Sequence, residues 1–252
     1  RLALVLLAGV NYATGQFMDI ERITSAARSR GCAVGWDLAH AAGNVPLSLH
    51  DWGPDFAVWC SYKYLNSGPG AVAGCFVHER HTRLAGAESR RMMPRFEGWW
   101  GNDPTARFAM SPEFEPVASA DAWQLSNPPI FALLPMRVSL QLFDEVGMDA
   151  LRQKSLRLTA FLERIILEAS EASGGRFRVI TPSEPDRRGC QLSIEVAGDA
   201  EGMLRALHAG GAVCDFRRPN VIRVAPTPMY NSFRDCWALG RLLTTAAQSC
   251  AR

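Results

Sequence analysis

The stretch GWDLAHAAGNVPLSLHDWGPDFAVWCSYKYLNSGPGAVAG, residues 35–74, decides how the rest of the chain reads. It holds two short apolar runs that each stop on reactive side chains. Cys32 to Trp36 ends on Asp37, and Phe56 to Cys60 ends beside Ser61, Tyr62 and Lys63. Short apolar runs bounded by turn residues read as strands buried in a sheet. Asn66-Ser67-Gly68-Pro69-Gly70 then supplies a turn before a fourth apolar run, Ala71 to Val77. Upstream, Leu2 to Leu7 reads as a strand buried on both faces, and Asp19 can cap a helix through Ile20, Ile23 and Ala27 that Gly31 stops. Strand, helix, strand with short connections predicts an open α/β sheet whose sites lie beyond the C-terminal strand ends. Asp37 and Lys63 stand at two such ends.

With 252 residues, 48% apolar and 21% charged, the chain can bury the core of one large domain or of a large and a small one. A net charge of +2, with no basic stretch laced with aromatics, implies no nucleic-acid partner. Leu2 to Val10 is too short to span a bilayer and lacks the flanks of a signal peptide, so no membrane is implied. Arg1 stands directly before a core strand without an initiator Met, which predicts a chain that begins inside a longer protein, truncated at its N-terminus. Seven Cys with no CxxC pair predict a reduced, cytoplasmic chain with Cys as small core residues. His78 and His81, in a charged segment far from other ligand types, read as solvated side chains, and no metal site is expected.

Of the 27 Lys and Arg residues, only Lys63 and Lys154 are Lys. Where this chain needs solvation or an ion pair it uses Arg, so each Lys is a marked choice. Arg cannot lose its proton at usable pH or form an imine, whereas a Lys amine can do both. Lys154 lies in a charged helical stretch and reads as a surface residue. Lys63 follows core residues and precedes a Gly-rich turn, with hydroxyls at Ser61 and Tyr62 where a phosphate would lie. Asp37 has an ordinary use as a turn former. It also suits pyridoxal 5'-phosphate (PLP), whose pyridine nitrogen needs a buried carboxylate to stay protonated. His40 reads either as a satisfied core residue or as a group beside that ring.

Between about Arg80 and Gln124 the pattern dissolves into Pro, Gly, Arg and Trp, long for an idle loop. Within it Gly98-Trp99-Trp100-Gly101 anchors a loop or touches a ligand. Pro128 can start a helix over Ile130 to Val146 with a kink at Pro135, and Asp149 can cap another with Leu158, Leu162, Ile165 and Ile166 on one stripe. Strands at 177–180, 191–196, 213–215 and 221–224, with helices at 200–209 and from 233, complete a small α+β domain. Arg223, on the last of these strands, is an edge residue or a bidentate partner for an amino acid's carboxylate.

The quoted stretch, with GWWGNDPTARF, WQLSNPP, RGCQLSI and NVIRVAPTPMYNSF in that order, resembles the kynureninase family over nearly the whole chain. The resemblance implies the C-terminal part of a PLP fold-type I large domain, a mostly parallel sheet with flanking helices, over 1–147, and a small α+β C-terminal domain over 148–252. It implies Lys63 as the catalytic residue that holds PLP through an imine, Asp37 paired with the pyridinium nitrogen, His40 beside the ring and Tyr62 on the phosphate. Trp99 and Asn127 would line the pocket, Trp99 reaching in from the partner of a homodimer. Arg223 would hold the substrate carboxylate, with Asn102 and Ser126 also facing the substrate. The implied activity is hydrolysis of L-kynurenine or its 3-hydroxy form to anthranilate, or 3-hydroxyanthranilate, and alanine in tryptophan catabolism. Two positions depart from the family pattern. Ala8 replaces a Ser found in some members, and Asn102 stands where many have His. The alternatives are a cysteine desulfurase, a class V aminotransferase, or a chain without catalytic activity. Desulfurases usually place His directly before the Lys and need a loop Cys; here Tyr62 precedes Lys63 and no such Cys is evident.

Overall fold

In the computed structural model the chain is described over residues 2–82 and 95–249, so part of the irregular stretch after Arg80 lies outside the described residues. The fold divides into two compact units. The first takes Arg1–Gly9, Asp19–Ala42 and Leu47–Gln141; the second takes Val10–Met18, Gly43–Pro46 and Leu142–Arg252. The chain thus passes to the second unit a few residues before the 147/148 boundary expected from sequence. Two short segments, 10–18 and 43–46, also pack with the second unit.

The first unit is built on four strands, β1 (Leu4–Ala8), β2 (Ala33–Asp37), β3 (Phe56–Trp59) and β4 (Gly74–Val77), hydrogen-bonded in that order. β1, β2 and β3 run parallel and β4 antiparallel to β3. Helix α1 (Ile20–Arg28) connects β1 to β2, with Asp19 accepting the Arg22 N–H at its start. β2 is the buried strand: Val34, Gly35 and Trp36 are enclosed, and the Trp36 indole N–H donates to Thr24 of α1 at 2.9 Å. Among the described residues β1 has only β2 beside it, and Leu6 is 52% exposed. A one-turn helix α2 (Leu49–Trp52), unforeseen because its apolar pattern is too short to register, precedes β3.

Helix α3 (Ile130–Val146) contains Pro135, as its sequence predicted. Helix α4 (Met148–Ala172) starts two residues earlier than expected. Gly147 occupies the cap and Asp149 falls in the first turn, where its charge still favours the helix N-terminus. Leu158, Leu162 and Ile166 of α4 lie at 0–1% exposure in the second unit's core. There they meet a sheet ordered β5 (Phe177–Val179), β6 (Leu192–Val196), β8 (Val221–Val224), β7 (Asp215–Arg217), antiparallel throughout. Helices α5 (Ala200–Ala209) and α6 (Phe233–Ser249) complete that core with Met203, Leu207, Cys236 and Leu243. At about 2 kcal/mol per fully buried aliphatic side chain, this cluster is the main stabilising feature of the second unit.

Candidate active site

The parallel arrangement brings the ends of β2 and β3 side by side, with Asp37 in register with Val58. Beyond β3 the chain folds into a tight turn in which Ser67 N–H donates to Ser61 O and Asn66 N–H to Lys63 O. Asn66 takes a left-handed φ of 58°, a conformation that Asn tolerates better than most residues. Ser61 is buried, and its hydroxyl donates to Val72 O across the same turn. Lys63 is thereby held half-buried, its Nζ 3.2 Å from His40 Nε2. The His40 ring meets Tyr64 edge-on at 5.8 Å. Lys63 Nζ also lies 5.9 Å from the centre of the exposed Tyr62 ring. Cys60 beside Tyr62, through its charge when ionised and a hydrogen bond, raises the phenol above its ordinary range, so the hydroxyl is a neutral donor at physiological pH.

Asp37 differs from expectation in one respect. Its carboxylate is exposed, because the strand ends there and the side chain turns back only as far as the Ala39 N–H, which donates to Oδ1 at 2.8 Å. Lys63 is brought beside both His40 and Tyr62, while Asp37 stands at the neighbouring strand end.

A second group forms on the irregular segment of the same unit. Trp99 is 43% exposed, and its ring meets Phe108 edge-on at 5.5 Å. Arg107 stacks over Trp100 at 4.3 Å and donates to the carbonyls of Trp100 and Asn102, fixing the loop that presents Trp99. Asn102 Oδ1 accepts the Glu115 N–H at 2.7 Å, so its amide N–H groups are what it can offer a ligand. Ser126 and Asn127 are exposed on the following segment. The sequence alone assigns no role to Arg107 or Phe108; an Arg close to paired Trp and next to Phe is the available signal.

Arg223 belongs to the second unit, on β8 directly opposite Asp215 of β7. Its Nε and Nη2 grip the two oxygens of Asp215 at 3.0 and 2.7 Å, and Nη1 donates to Tyr12 O at 2.7 Å. Asp215 and Tyr12 were not foreseen. His78 and His81 are not simply solvated: His81 pairs with Asp55 at 2.7 Å and His78 stacks on His50 at 5.2 Å. The second unit also holds an open pocket of about 470 Å³ lined in part by Leu162, Val224, Leu239, Asn231 and Asp235, with none of the expected site residues.

Two family models match the chain, the aminotransferase class-V family over residues 1–82 and the kynureninase C-terminal domain over 151–243. Kynureninases of Salinispora tropica, Myxococcus xanthus and Xanthomonas oryzae are 52%, 54% and 55% identical over 98%, 96% and 93% of the chain. Over the stretch that it spans, the chain is similar to the kynureninase family. That stretch is 54–56% of the length of these relatives. Among solved structures, the Escherichia coli cysteine desulfurase CsdA superposes with a TM-score of 0.73 at 17% identity, covering 98% of this chain and 59% of that one. The cystine C-S lyase C-DES superposes at 0.75 and 18% identity, covering 96% and 61%. At such identities these two share the fold alone, that of PLP fold-type I enzymes. The kynureninase relatives, not the desulfurases, are the ones similar in sequence.

Proposed function

We propose that this chain contributes Lys63, Asp37, His40 and Tyr62 to a PLP site that hydrolyses L-kynurenine or 3-hydroxykynurenine, releasing anthranilate or its 3-hydroxy form and alanine. The observation that carries the reading is Lys63 Nζ held 3.2 Å from His40 Nε2 at a strand end, in a chain 52–55% identical to kynureninases. The donor set fits the cofactor. Lys63 offers the amine for an imine, and Asp37 commits only Oδ1 to the backbone, leaving Oδ2 for a pyridinium N–H. Tyr62 offers a neutral phenol to a phosphate.

When bound, PLP supplies the electron sink that makes the substrate's α-proton removable. Lys63 Nζ is the base that takes and returns that proton, and His40 Nε2 is placed to accept an N–H from it. Trp99 and Asn127, with Asn102 and Ser126, are assigned to the pocket, and Arg223 to the substrate carboxylate. A homodimer in which Trp99 reaches into its partner's site belongs to the same reading, and the exposure of Trp99 supports it. Six cysteines unpaired among the described residues support a reducing, cytoplasmic setting. No described helix is long and apolar enough to cross a membrane.

Addition of PLP to the protein is expected to produce the visible absorbance of a lysine-bound cofactor and to support anthranilate release from kynurenine. Lys63→Ala should abolish both. An unchanged spectrum in that variant would sink the assignment. Cysteine consumption with sulfur release, in place of anthranilate, would favour the desulfurase alternative.

A further inference from the structure

Arg223 is surrounded more elaborately than a single carboxylate contact requires. Asp215 and Arg223 are directly opposed on antiparallel β7 and β8, so their side chains share a face. Arg217, two residues along β7, lies on that face too and reaches Asp215 with Nε and Nη2, each at 3.1 Å. One carboxylate therefore receives two guanidinium groups, and the cluster is left with a net charge of +1. On the other side, Arg223 Nη1 and the Gln191 amide both donate to Tyr12 O. Tyr12 sits in a turn stapled by Asn11, whose Oδ1 accepts the N–H groups of Ala13 and Thr14.

A guanidinium carries five N–H bonds in a rigid plane. Asp215 takes one on Nε and one on Nη2, and Tyr12 takes one on Nη1. One remains on each terminal nitrogen, the two nitrogens whose end-on fork matches a carboxylate. The Arg223 side chain is only 9% exposed, against 46% for Asp215.

We propose that Asp215 is a positioning residue that holds the Arg223 fork toward a carboxylate-bearing ligand, with Arg217 supplying the surplus positive charge that draws the ligand in. This rests on the assignment of Arg223 to the substrate carboxylate and adds to it the residue that aims it. Charge and orientation predict opposite results when Asp215 is neutralised. If charge alone mattered, removing a nearby negative group would strengthen anion binding. If orientation matters, Arg223 loses its grip, is repelled by Arg217, and binds the anion less well.

The experiment compares L-alanine with L-alaninamide, which lacks the carboxylate, by absorbance titration of the PLP-loaded protein. The unaltered protein should prefer alanine. Asp215→Asn should lower that preference about tenfold, the size of a lost charge-assisted hydrogen bond. Asp215→Glu should restore most of it, since a carboxylate is kept on the same face. Melting temperatures within a few degrees of the unaltered protein would show that each variant folds; a preference changed by Glu as much as by Asn would overturn the positioning role. So would a preference that stays level or rises in Asp215→Asn. Arg223→Gln separates the two assignments. If it leaves the preference intact, Arg223 does not bind the carboxylate; if it abolishes the preference while Asp215→Asn does not, only the role of Asp215 fails.

Discussion

A protonated lysine has only donors to offer, so the 3.2 Å contact between Lys63 Nζ and His40 requires the imidazole Nε2 to accept. That fixes what His40 does before any ligand arrives: it orients the amine and gives one of its protons somewhere to point. His40→Leu removes the acceptor, and His40→Gln keeps one. Mixing each variant with PLP in a stopped-flow spectrometer should show cofactor capture slowed about tenfold for Leu and only a fewfold for Gln, in line with one hydrogen bond to a charged group. Equal rates in all three proteins would mean that His40 plays no part in presenting Lys63. Lys63 itself was legible in the sequence because one of only two lysines followed a strand. Arg223 was legible as a cation on a late strand. Its partners were not: Asp215 meets it through strand pairing, and Tyr12 lies 211 residues away, separations that no local spacing encodes.

At the scale of elements, apolar runs and caps placed the strands and helices well, and errors gathered where packing rather than pattern decides. β1 reads as buried on both faces because its residues are apolar; in a chain that spans 54–56% of its relatives' length, only β2 lies beside it. The Trp99 loop shows the reverse, a feature whose meaning appears only in three dimensions. Gly98 and Gly101 both lie tight against the segment that leads to Ser126 and Asn127. A Cβ on Gly98 would come within 2.1 Å of Leu125 Cα, and one on Gly101 within 2.7 Å of Ala122 O, both rigid backbone atoms. Either Gly→Ala change must therefore push the Trp99–Trp100 turn off that segment. We expect Gly98→Ala to red-shift the tryptophan fluorescence and to raise KM at least tenfold, while the melting temperature falls by only a few degrees because the loop lies outside both sheets. Unaltered emission and KM would show that the loop does not depend on this contact.

For the molecule as a whole, each unit owns a sheet, and the first unit has an electrostatic clamp at the end of its sheet opposite the Lys63 turn. Asp55, just before β3, accepts the Val34 N–H on one oxygen and Arg80 and His81 on the other, each at 2.7 Å. It thereby ties β2, the start of β3 and the segment after β4 to one carboxylate. Burial pushes this carboxyl up, but Arg80, the Val34 N–H and His81 together outweigh it and hold it below the usual carboxylate range. A group depressed in the folded state stabilises the fold fully above its unfolded value, near 4, and that contribution drains away as pH falls through the lower folded value. Asp55→Asn cannot supply this, and at neutral pH it should cost about 3 kcal/mol, because Arg80 loses its partner in a largely enclosed place. Urea unfolding followed from pH 7 to pH 2 should therefore show the two proteins converging below about pH 4, the stability of the unaltered protein falling toward that of the variant. Curves that stay parallel across that range would mean that the depressed Asp55 does not govern acid stability, and that its contacts matter only as neutral hydrogen bonds.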